Sequence, residues 1–232
     1  WNDPNIMWAS YDAIVIRNTW DYHYHAAEFE RWLRQLEAAE MRIINPPSLL
    51  RWNMNKRYLQ ELAECGIAIV PTRFVTDTAQ SLTEILTASS WSDIIIKPII
   101  GASGDDTIRL NTSDAASHQT DFERIVRGSG ALIQPFMPQI HEGEWSLIFF
   151  KGAFSHAVIK PPATGSIFVH EERGGTTRPI TADATTIAAA TTVMQQVEAL
   201  TGIQPVYARV DGLLVEGEFL LMGNVFTRTK NS

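Results

Sequence analysis

Short runs of branched apolar residues recur along this chain of 232 residues, and segments with helical periodicity separate several of them. The runs YDAIVIR (11–17) and MRIINPP (41–47) flank the segment 26–40, whose apolar residues have the spacing of an amphipathic helix. Strand, helix and strand in this order are typical of a βαβ unit, in which the two strands are parallel. The alternation therefore favours a mixed α/β fold.

The rest of the chain continues with further strands and helices. Residues 48–66 have the pattern of one helix that ends at Gly66. DIIIKPII (93–100) has the pattern of a strand that runs into the loop GASGDDT and a second strand, TIRL. ALIQPFMP, GEWSLIFF and AFSHAVIK are closely spaced, as in an antiparallel meander. A long helix over 183–200 and a final pair of strands are predicted after them.

Composition and charge argue against several classes of function. The net charge is −7 and no lysine- or arginine-rich run stands out, so nucleic acid is not an expected partner. No apolar run approaches the ~20 residues that span a bilayer, and the chain lacks a secretory-type leader, which predicts a cytoplasmic protein without a membrane partner. The single cysteine, Cys65, is expected to be a buried structural thiol.

The last strands, YARVDGLLVEGEFLLMGNVF (207–226), place a cation and a carboxylate on one strand face. Arg209 and Asp211 are two positions apart, so both side chains leave an extended strand on the same side. This arrangement suits a polyanionic ligand that carries a metal ion. A second carboxylate would be expected on the following strand, yet that strand has Gly223 and Asn224.

Lys97 and the loop after it are a candidate phosphate site. Lys97 lies on an otherwise apolar strand, where an unpaired ammonium is costly, so an anionic partner is expected. In the loop, Gly101, Ser103 and Gly104 can present backbone N–H groups to phosphates. The loop matches neither G-x-x-x-x-G-K-[ST] nor G-x-G-x-x-G. The alternative is a hairpin turn that follows a lysine whose ammonium group reaches water.

The segment LIQPFMPQIHEGEWSL (132–147) is a candidate nucleotide hinge. Pro135 and Pro138 remove ladder donors, so the chain beside Phe136 and Met137 has backbone groups that can accept a flat adenine ring. Glu144, on the next strand, is placed to accept ribose hydroxyls. An ordinary proline-broken connector with a solvated glutamate explains the same residues.

Three further side chains are ambiguous when each is taken singly. Lys56, in WNMNKRYL, opens a predicted helix or is a surface lysine, and Lys160 repeats the lysine–proline theme after an apolar strand. His156 is either a proton carrier or a half-buried histidine with satisfied hydrogen bonds. The other histidines show no strong metal-ligand spacing, and no G-x-S-x-G or cysteine–histidine signature supports a hydrolase.

The order of these features is more specific than any one of them. A lysine at a helix start, a lysine–proline strand with a small-residue loop, a Q-P-F hinge, a glutamate on the next strand and R-x-D in a late strand resemble the ATP-grasp superfamily. The segments IRNTWDYH, NPPSLLRWNMNKRYL, KPIIGASGDDT, EWSLIFF with FSHAVIK, and HEERGG are similar to recurrent segments of bacterial glutathione synthetase-like ligases, especially the D-cycloserine-forming (O-ureido-D-serine) cyclo-ligase type. The resemblance covers nearly the whole chain.

The resemblance implies an α/β fold of the ATP-grasp kind, in which two α+β subdomains clamp a nucleotide after a partial Rossmann-like pre-ATP-grasp domain. It places the shortened N-terminal domain at 1–47 and the ATP-grasp domain at 48–232, with 69–130 as the smaller nucleotide-covering subdomain. The implied enzyme is an ATP-dependent carboxylate–amine or cyclising ligase that forms a C–N bond through an acyl phosphate. ATP and Mg²⁺, with Mn²⁺ as an alternative, are the implied cofactors, and the implied substrate is small and amino-acid-like.

The resemblance also implies a role for each candidate residue. Arg209 faces the transferred phosphoryl group, Lys160 is a substrate- or phosphate-side cation, and Asp211 is a magnesium ligand. Residues 101–107 form a flap over the phosphates, and the 17–22 loop lies toward the second substrate. Such roles suit phosphoryl transfer, which depends on positioned cations and magnesium more than on covalent chemistry from the protein. The implied nucleotide-binding residues are Lys56, Lys97, Gly101, Ser103, Gly104, Gln134, Phe136, Met137 and Glu144.

Position 223 departs from the family pattern. The family has a carboxylate there, commonly followed two positions later by Asn or Glu, whereas this chain has Gly223 and Val225, with Asn224 out of phase by one residue. The loss of a carboxylate weakens magnesium binding and charge neutralisation. A nucleotide-binding protein without turnover is therefore the second hypothesis, and a kinase acting on a hydroxyl is a third. A homodimer is left open.

Overall fold

The structure, a computed structural model, describes residues 1–17, 19 and 21–226, and for Asn224 and Val225 it describes the main chain alone. The chain divides into two compact units. The first unit combines Trp1–Ala68 with the chain from Gln139 onward, and the second unit is Ile69–Pro138. Within the described part, no helix is long and apolar enough to cross a membrane.

The first unit begins with a strand, a helix and a strand. β1 (Ile14–Val15) and β2 (Ile43–Ile44) are parallel, and α1 (Ala26–Ala38) connects them. The buried residues of α1 are the four of the predicted apolar face, Phe29, Trp32, Leu33 and Leu36. The predicted βαβ unit is therefore confirmed.

The prediction of one helix over 48–66 is wrong. α2 (Pro47–Met54) and α3 (Tyr58–Glu64) are separate helices, and Asn55 between them has the extended angles φ −101° and ψ 112°. Asparagine side chains compete with helical hydrogen bonds, and here Asn55 Oδ1 accepts the N–H of Arg57 at 3.0 Å. Lys56 therefore lies in the turn before α3 and does not open the helix.

Cys65 also differs from the prediction of a buried thiol. It is the C-cap residue of α3, and Gly66, with φ +86°, turns the chain away directly after it. The helix buries Tyr58, Leu59 and Leu62 and ends before another buried position is reached. The thiol of Cys65 is exposed.

A five-stranded antiparallel sheet forms the centre of the first unit. Its strands are β7 (Glu144–Phe150), β8 (Ala153–Lys160), β9 (Arg178–Ile180), β10 (Tyr207–Val215) and β11 (Glu218–Val225). Their order is β11-β10-β7-β8-β9. α6 (Ala184–Thr201) follows β9, and Asp183 caps it by accepting the N–H of Thr186 at 2.7 Å.

Asn45 ties the segment after β2 to the last two strands. Its buried side-chain amide donates to the carbonyl oxygens of Tyr207 at 2.7 Å and Phe226 at 2.6 Å. Its Oδ1 accepts the N–H of Val206 at 2.7 Å. A buried amide that is satisfied in this way fixes the start of β10 against the end of β11.

The second unit is a four-stranded antiparallel sheet with two helices. Its elements are β3 (Arg73–Val75), α4 (Leu82–Thr87), β4 (Asp93–Pro98), β5 (Ile108–Asn111), α5 (Gln119–Ser129) and β6 (Ala131–Pro135). The strand order is β3-β6-β4-β5, and apolar residues of strands and helices form its core. ALIQPFMP therefore pairs with β3 and β4, so the predicted three-stranded meander is wrong in its first member. β7 and β8 form the expected antiparallel pair.

Candidate active site

A cluster of buried charges lies in the five-stranded sheet of the first unit. Arg209 donates two hydrogen bonds to the Asp211 carboxylate, from Nε to Oδ1 at 2.8 Å and from Nη2 to Oδ2 at 2.7 Å. Lys160 Nζ lies 3.3 Å from Glu144 Oε1 and 3.7 Å from Asp211 Oδ1. The predicted placement of Arg209 and Asp211 on one strand face is confirmed, and the structure brings these four predicted residues together.

The strand register explains how the cluster forms. Glu144 is opposite Lys160 across β7 and β8, and Asp211 is opposite Ser146 across β10 and β7. Residues directly opposite each other in antiparallel strands share a face, and so do residues two positions apart on one strand. Glu144 and Ser146 therefore join Lys160, Arg209 and Asp211 on the same face of the sheet.

Ser146 is a member of the cluster that the sequence interpretation missed. Its hydroxyl donates to Asp211 Oδ1 at 2.5 Å, and its side chain is fully buried. A signal was present in EWSLIFF, where Glu144 and Ser146 are the polar residues of an otherwise apolar strand and are two positions apart. This spacing places both on one face.

Arg209 and Asp211 are held in their charged states although they are buried. Counted over the whole residue, Lys160 is 6% exposed, Arg209 8% and Asp211 6%. Burial alone raises the pKa of Asp211, but the charges of Arg209 and Lys160, with hydrogen bonds from Arg209 and Ser146, outweigh it and lower the pKa to about 2. Burial alone lowers the pKa of Arg209, but the charge of Asp211 and its hydrogen bonds with Arg209 outweigh burial and raise this pKa. The site thus presents an ionised carboxylate held by cations.

Gly223 lies directly opposite Asp211, on β11. A Cβ at this position would lie 3.4 Å from the Tyr58 hydroxyl, an ordinary contact, so the position has room for a Cβ. Tyr58 is the first residue of α3 and lies two positions after Lys56. The predictions that concern the side chains of Asn224 and Val225, and residues 18, 20 and 227–232, lie outside the described residues.

Magnesium fits this site in one way only. Across residues 1–17, 19 and 21–226, no group of three or more His, Cys, Asp or Glu side chains could hold a metal ion. Magnesium in nucleotide sites takes one or two carboxylates together with phosphate oxygens. The cluster therefore fits a magnesium ion carried on a nucleotide, with Asp211 as the protein's carboxylate, and does not fit a cage of protein ligands alone.

The other predicted nucleotide residues belong to the second unit. They are Lys97, Gly101, Ser103, Gly104, Gln134, Phe136 and Met137. Lys97 is half-buried on β4, opposite Leu132 of β6. In the loop that follows, Ser103 and Gly104 have φ values of +55° and +70°. The backbone N–H of Asp105 donates to the carbonyl oxygen of Ala102 at 3.0 Å. The loop is thus a series of tight turns.

The hinge after β6 has a buried anchor and a stacked aromatic ring. Gln134 is buried, and its Nε2 donates to Thr72 Oγ1 at 2.8 Å. The N–H of Phe136 donates to the Asp93 carbonyl at 2.8 Å, and the guanidinium of Arg109 lies 3.5 Å from the Phe136 ring centroid. Because the Phe136 N–H is already used, adenine recognition by this segment would rest on its other backbone groups.

The chain is similar to ligases and to a cycloserine biosynthesis protein among the curated sequences. The cycloserine biosynthesis protein DcsG of Streptomyces lavendulae is 31% identical over 166 residues, which cover 69% of this chain and 55% of that protein. A tetrahydromethanopterin:α-L-glutamate ligase of Methanosarcina acetivorans is 27% identical over 111 residues, 47% of this chain and 33% of that protein. The chain therefore spans about half of the first relative and a third of the second.

Solved structures share the fold. The crystal structure of D-cycloserine synthetase DcsG superposes with a TM-score of 0.87 at 27% identity, over 98% of this chain and 80% of that one. D-alanine–D-alanine ligase from Bacillus anthracis, complexed with ATP, has a TM-score of 0.63 at 15% identity, over 83% of this chain and 61% of that one. The second likeness concerns the fold alone. The predicted α/β fold of the ATP-grasp kind is confirmed.

Two family models match the chain. Residues 1–45 match the N-terminal domain of D-cycloserine synthetase DcsG. Residues 55–210, more than half of the chain, match the ATP-grasp domain of prokaryotic glutathione synthetase. The chain belongs to the prokaryotic glutathione synthetase ATP-grasp family.

Proposed function

We propose that the protein is an ATP-dependent ligase that joins a carboxylate to an amine through an acyl phosphate, on a small amino-acid-like substrate. The observation that carries the proposal is the buried cluster, in which two cations, Lys160 and Arg209, surround the Asp211 carboxylate. Buried ion pairs rarely improve stability over apolar packing, so their presence in a sheet favours a catalytic role. Membership of the ATP-grasp family supports the same reaction class.

The first step transfers the γ-phosphoryl group of ATP to a substrate carboxylate. A carboxylate oxygen forms a bond to phosphorus, the bond between the γ-phosphorus and the bridging oxygen breaks, and ADP leaves. Arg209 and Lys160 stabilise the negative charge on the transferred group, and their burial strengthens this interaction. Magnesium, when bound beside Asp211, supplies further charge neutralisation.

The proposal also assigns residues to the binding of the nucleotide. Lys56 and Lys97 contact its phosphates, and the loop 101–107 covers them. The hinge residues Gln134, Phe136 and Met137 contact the adenine through backbone groups. Glu144 serves the ribose, although its Oε1 is already 3.3 Å from Lys160 Nζ. The domains 1–47 and 48–232, with 69–130 as the smaller subdomain, are part of the proposal.

ADP release in the presence of candidate amino acids tests the ligase function. D-alanine, D-serine and O-ureido-D-serine are suitable probes, and we expect ADP release coupled to consumption of the amine. The variant R209K should lower kcat by about 10²–10³-fold, because one stabilising donor pair is lost. The control R178K alters an exposed arginine of β9 and should have no effect. ATP binding without ADP release from any probe would contradict the ligase proposal.

A nucleotide-binding protein without turnover is the second candidate function. It is favoured by Gly223, which supplies no carboxylate opposite Asp211, and by the hydrogen bonds that Asp211 already accepts from Arg209 and Ser146. Calorimetry of ATP binding with and without Mg²⁺ tests it. Affinity that does not depend on the metal, together with no ADP release, supports this candidate.

The variant G223E separates the two candidates. Position 223 accepts a Cβ in ordinary contact with the Tyr58 hydroxyl, and a carboxylate beside Asp211 should make ATP binding depend on Mg²⁺ and raise ADP release by about tenfold or more. G128E is the matched control, because Gly128 of α5 also has open space for a Cβ. An equal response to both variants would contradict the role of position 223.

A further inference from the structure

The segment between β8 and β9 contains a histidine that has no role in the proposed phosphoryl transfer. His170 is the N-cap residue of the 3-10 helix Glu171–Arg173, but its side chain makes no capping bond. Its carbonyl accepts the N–H of Arg173 at 2.9 Å and that of Gly175 at 3.0 Å. The main chain of His170 is thus fixed, while its imidazole is not used to hold the turn.

Gly175 keeps this segment in place. A Cβ at position 175 would lie 2.2 Å from the carbonyl oxygen of Val169, so only glycine permits this approach of backbone to backbone. Val169 is buried, and the N–H of Thr176 donates to the Pro161 carbonyl at 3.1 Å, which joins the two ends of the segment. The imidazole of His170 therefore extends from a well-defined backbone.

The Nδ1 atom of His170 is buried and has no hydrogen-bond partner among the residues that the structure describes. Thr177 Oγ1, at the end of the same segment, shares this property. Buried polar atoms are nearly always paired, so two such atoms on one segment favour a polar ligand at this segment. Neither atom has a structural explanation in its own turn.

The imidazole of His170 is within electrostatic range of the charged cluster. The charges that act on it are Glu144 of β7, Lys160 of β8, Arg209 of β10 and Glu172 of its own turn. Burial lowers the pKa of His170 below its ordinary value of 6.5, Lys160 and Arg209 lower it further, and the two glutamates oppose them. The ring is therefore neutral at pH 7, with one nitrogen able to accept a proton.

We propose that His170 is the general base of the ligation step, and that its Nδ1 accepts the proton of the attacking amine. The proposal rests on the ligase function given above. The amine nitrogen forms a bond to the acyl carbon, the bond from this carbon to the phosphate oxygen breaks, and phosphate leaves with the electron pair. The amine proton moves to His170 Nδ1, and the imidazolium later releases it to water.

Trapping the acyl phosphate with hydroxylamine tests this role in the full chain. Hydroxylamine is a nucleophile without an ammonium proton at neutral pH, so it reacts with an acyl phosphate without a base and yields a hydroxamate. With O-ureido-D-serine, D-serine or D-alanine as the carboxylate probe, H170N should form hydroxamate within about twofold of the unmodified chain. Ligation with D-alanine as the amine, or ring closure of O-ureido-D-serine, should fall by about 10²-fold or more.

A control variant, a rescue and a second substitution complete the test. H156N alters an exposed histidine of β8 that contacts Ser155 and should leave both reactions unchanged. Added imidazole should restore part of the ligation rate of H170N but not alter its hydroxamate formation. Hydroxamate formation by H170N also shows that the variant folds, and H170Q is the second variant if H170N does not form it.

Three results would overturn the proposal. The first is an unchanged ligation rate in H170N. The second is a parallel loss of hydroxamate and ligation product in both H170N and H170Q, which would indicate a structural role. The third is the absence of hydroxamate from the unmodified chain with every probe, which would overturn the ligase function and with it the role of His170.

Discussion

The two sheets of this protein differ in where they hold charge. In the sheet of the second unit, β4 buries Ile94, Ile95 and Ile96, and its ion pair between Arg109 and Asp93 is 38% and 33% exposed. In the sheet of the first unit, Arg209 and Asp211 are an ion pair of which each side chain is 9% exposed. One sheet excludes charge from its interior, and the other encloses it.

The difference separates folding from function. Exposed ion pairs contribute little to stability, and buried ion pairs often contribute less than apolar residues of the same volume. The second sheet has the composition that stability alone would favour. The first sheet contains charges that stability does not require, and this supports the assignment of catalysis to that sheet.

The largest expected effect is that of D211A. It removes the carboxylate that faces buried Arg209 and leaves Lys160 with Glu144 alone, which should lower the free energy of unfolding by about 3–5 kcal/mol. Urea unfolding followed by circular dichroism measures the change. Replacement of both partners, as in R209M with D211L, should recover most of the loss while ATP-dependent chemistry stays absent. A single D211A variant as stable as the unmodified chain would contradict the distinction between the sheets.

Acid should weaken the first sheet within a defined pH range. The pKa of Asp211 is about 2 in the folded chain, whereas the ordinary value of 3.8 applies to the unfolded chain. The folded state therefore binds fewer protons than the unfolded state between these two pH values. The resulting stability, on the order of 2 kcal/mol, is fully present above pH 4 and is lost as the pH falls through 2. Urea midpoints measured between pH 5 and pH 2 should show this loss.

The variant D211N provides the reference for the acid experiment. It has no carboxyl group at this position, so its midpoint should change less with pH over the same range. Equal pH dependence in D211N and the unmodified chain would show that other carboxyl groups cause the effect.

The smallest expected effect is that of D93A in the second sheet. Its pair with Arg109 is partly exposed, with Nη2 2.6 Å from Oδ2, so its loss should change the free energy of unfolding by less than about 1 kcal/mol. High salt should reduce the difference further, because it screens exposed charges. A loss comparable to that of D211A in the same urea measurement would remove the contrast between the two sheets.

The local features of the site followed from the sequence. Arg209 and Asp211 share a face because they are two residues apart on a strand, and this spacing is visible in the sequence. The alternation of Glu144 and Ser146 is visible in the same way, although only the register of β7 against β10 shows that Ser146 meets Asp211. Spacing along one strand is local information, whereas register depends on turns and packing far away.

The features that were missed depend on distant partners. The sequences of β6 and β7 are both predominantly apolar, and nothing in this pattern indicates which strands each of them will pair with. The proximity of His170 to the cluster depends on the path of a long segment, and a single histidine in a polar loop gives no such signal. The break at Asn55 was more accessible, because asparagine is a weak helix former.

The absence of a side chain at Gly175 determines how the segment between β8 and β9 could be redesigned. Its backbone contact with Val169 sets the packing within the loop, so a substitution there would displace His170, the proposed base, without touching any reacting atom. Thr164, by contrast, is exposed within the same loop. Libraries aimed at new amine acceptors should therefore diversify the region around Thr164 and keep position 175 as glycine.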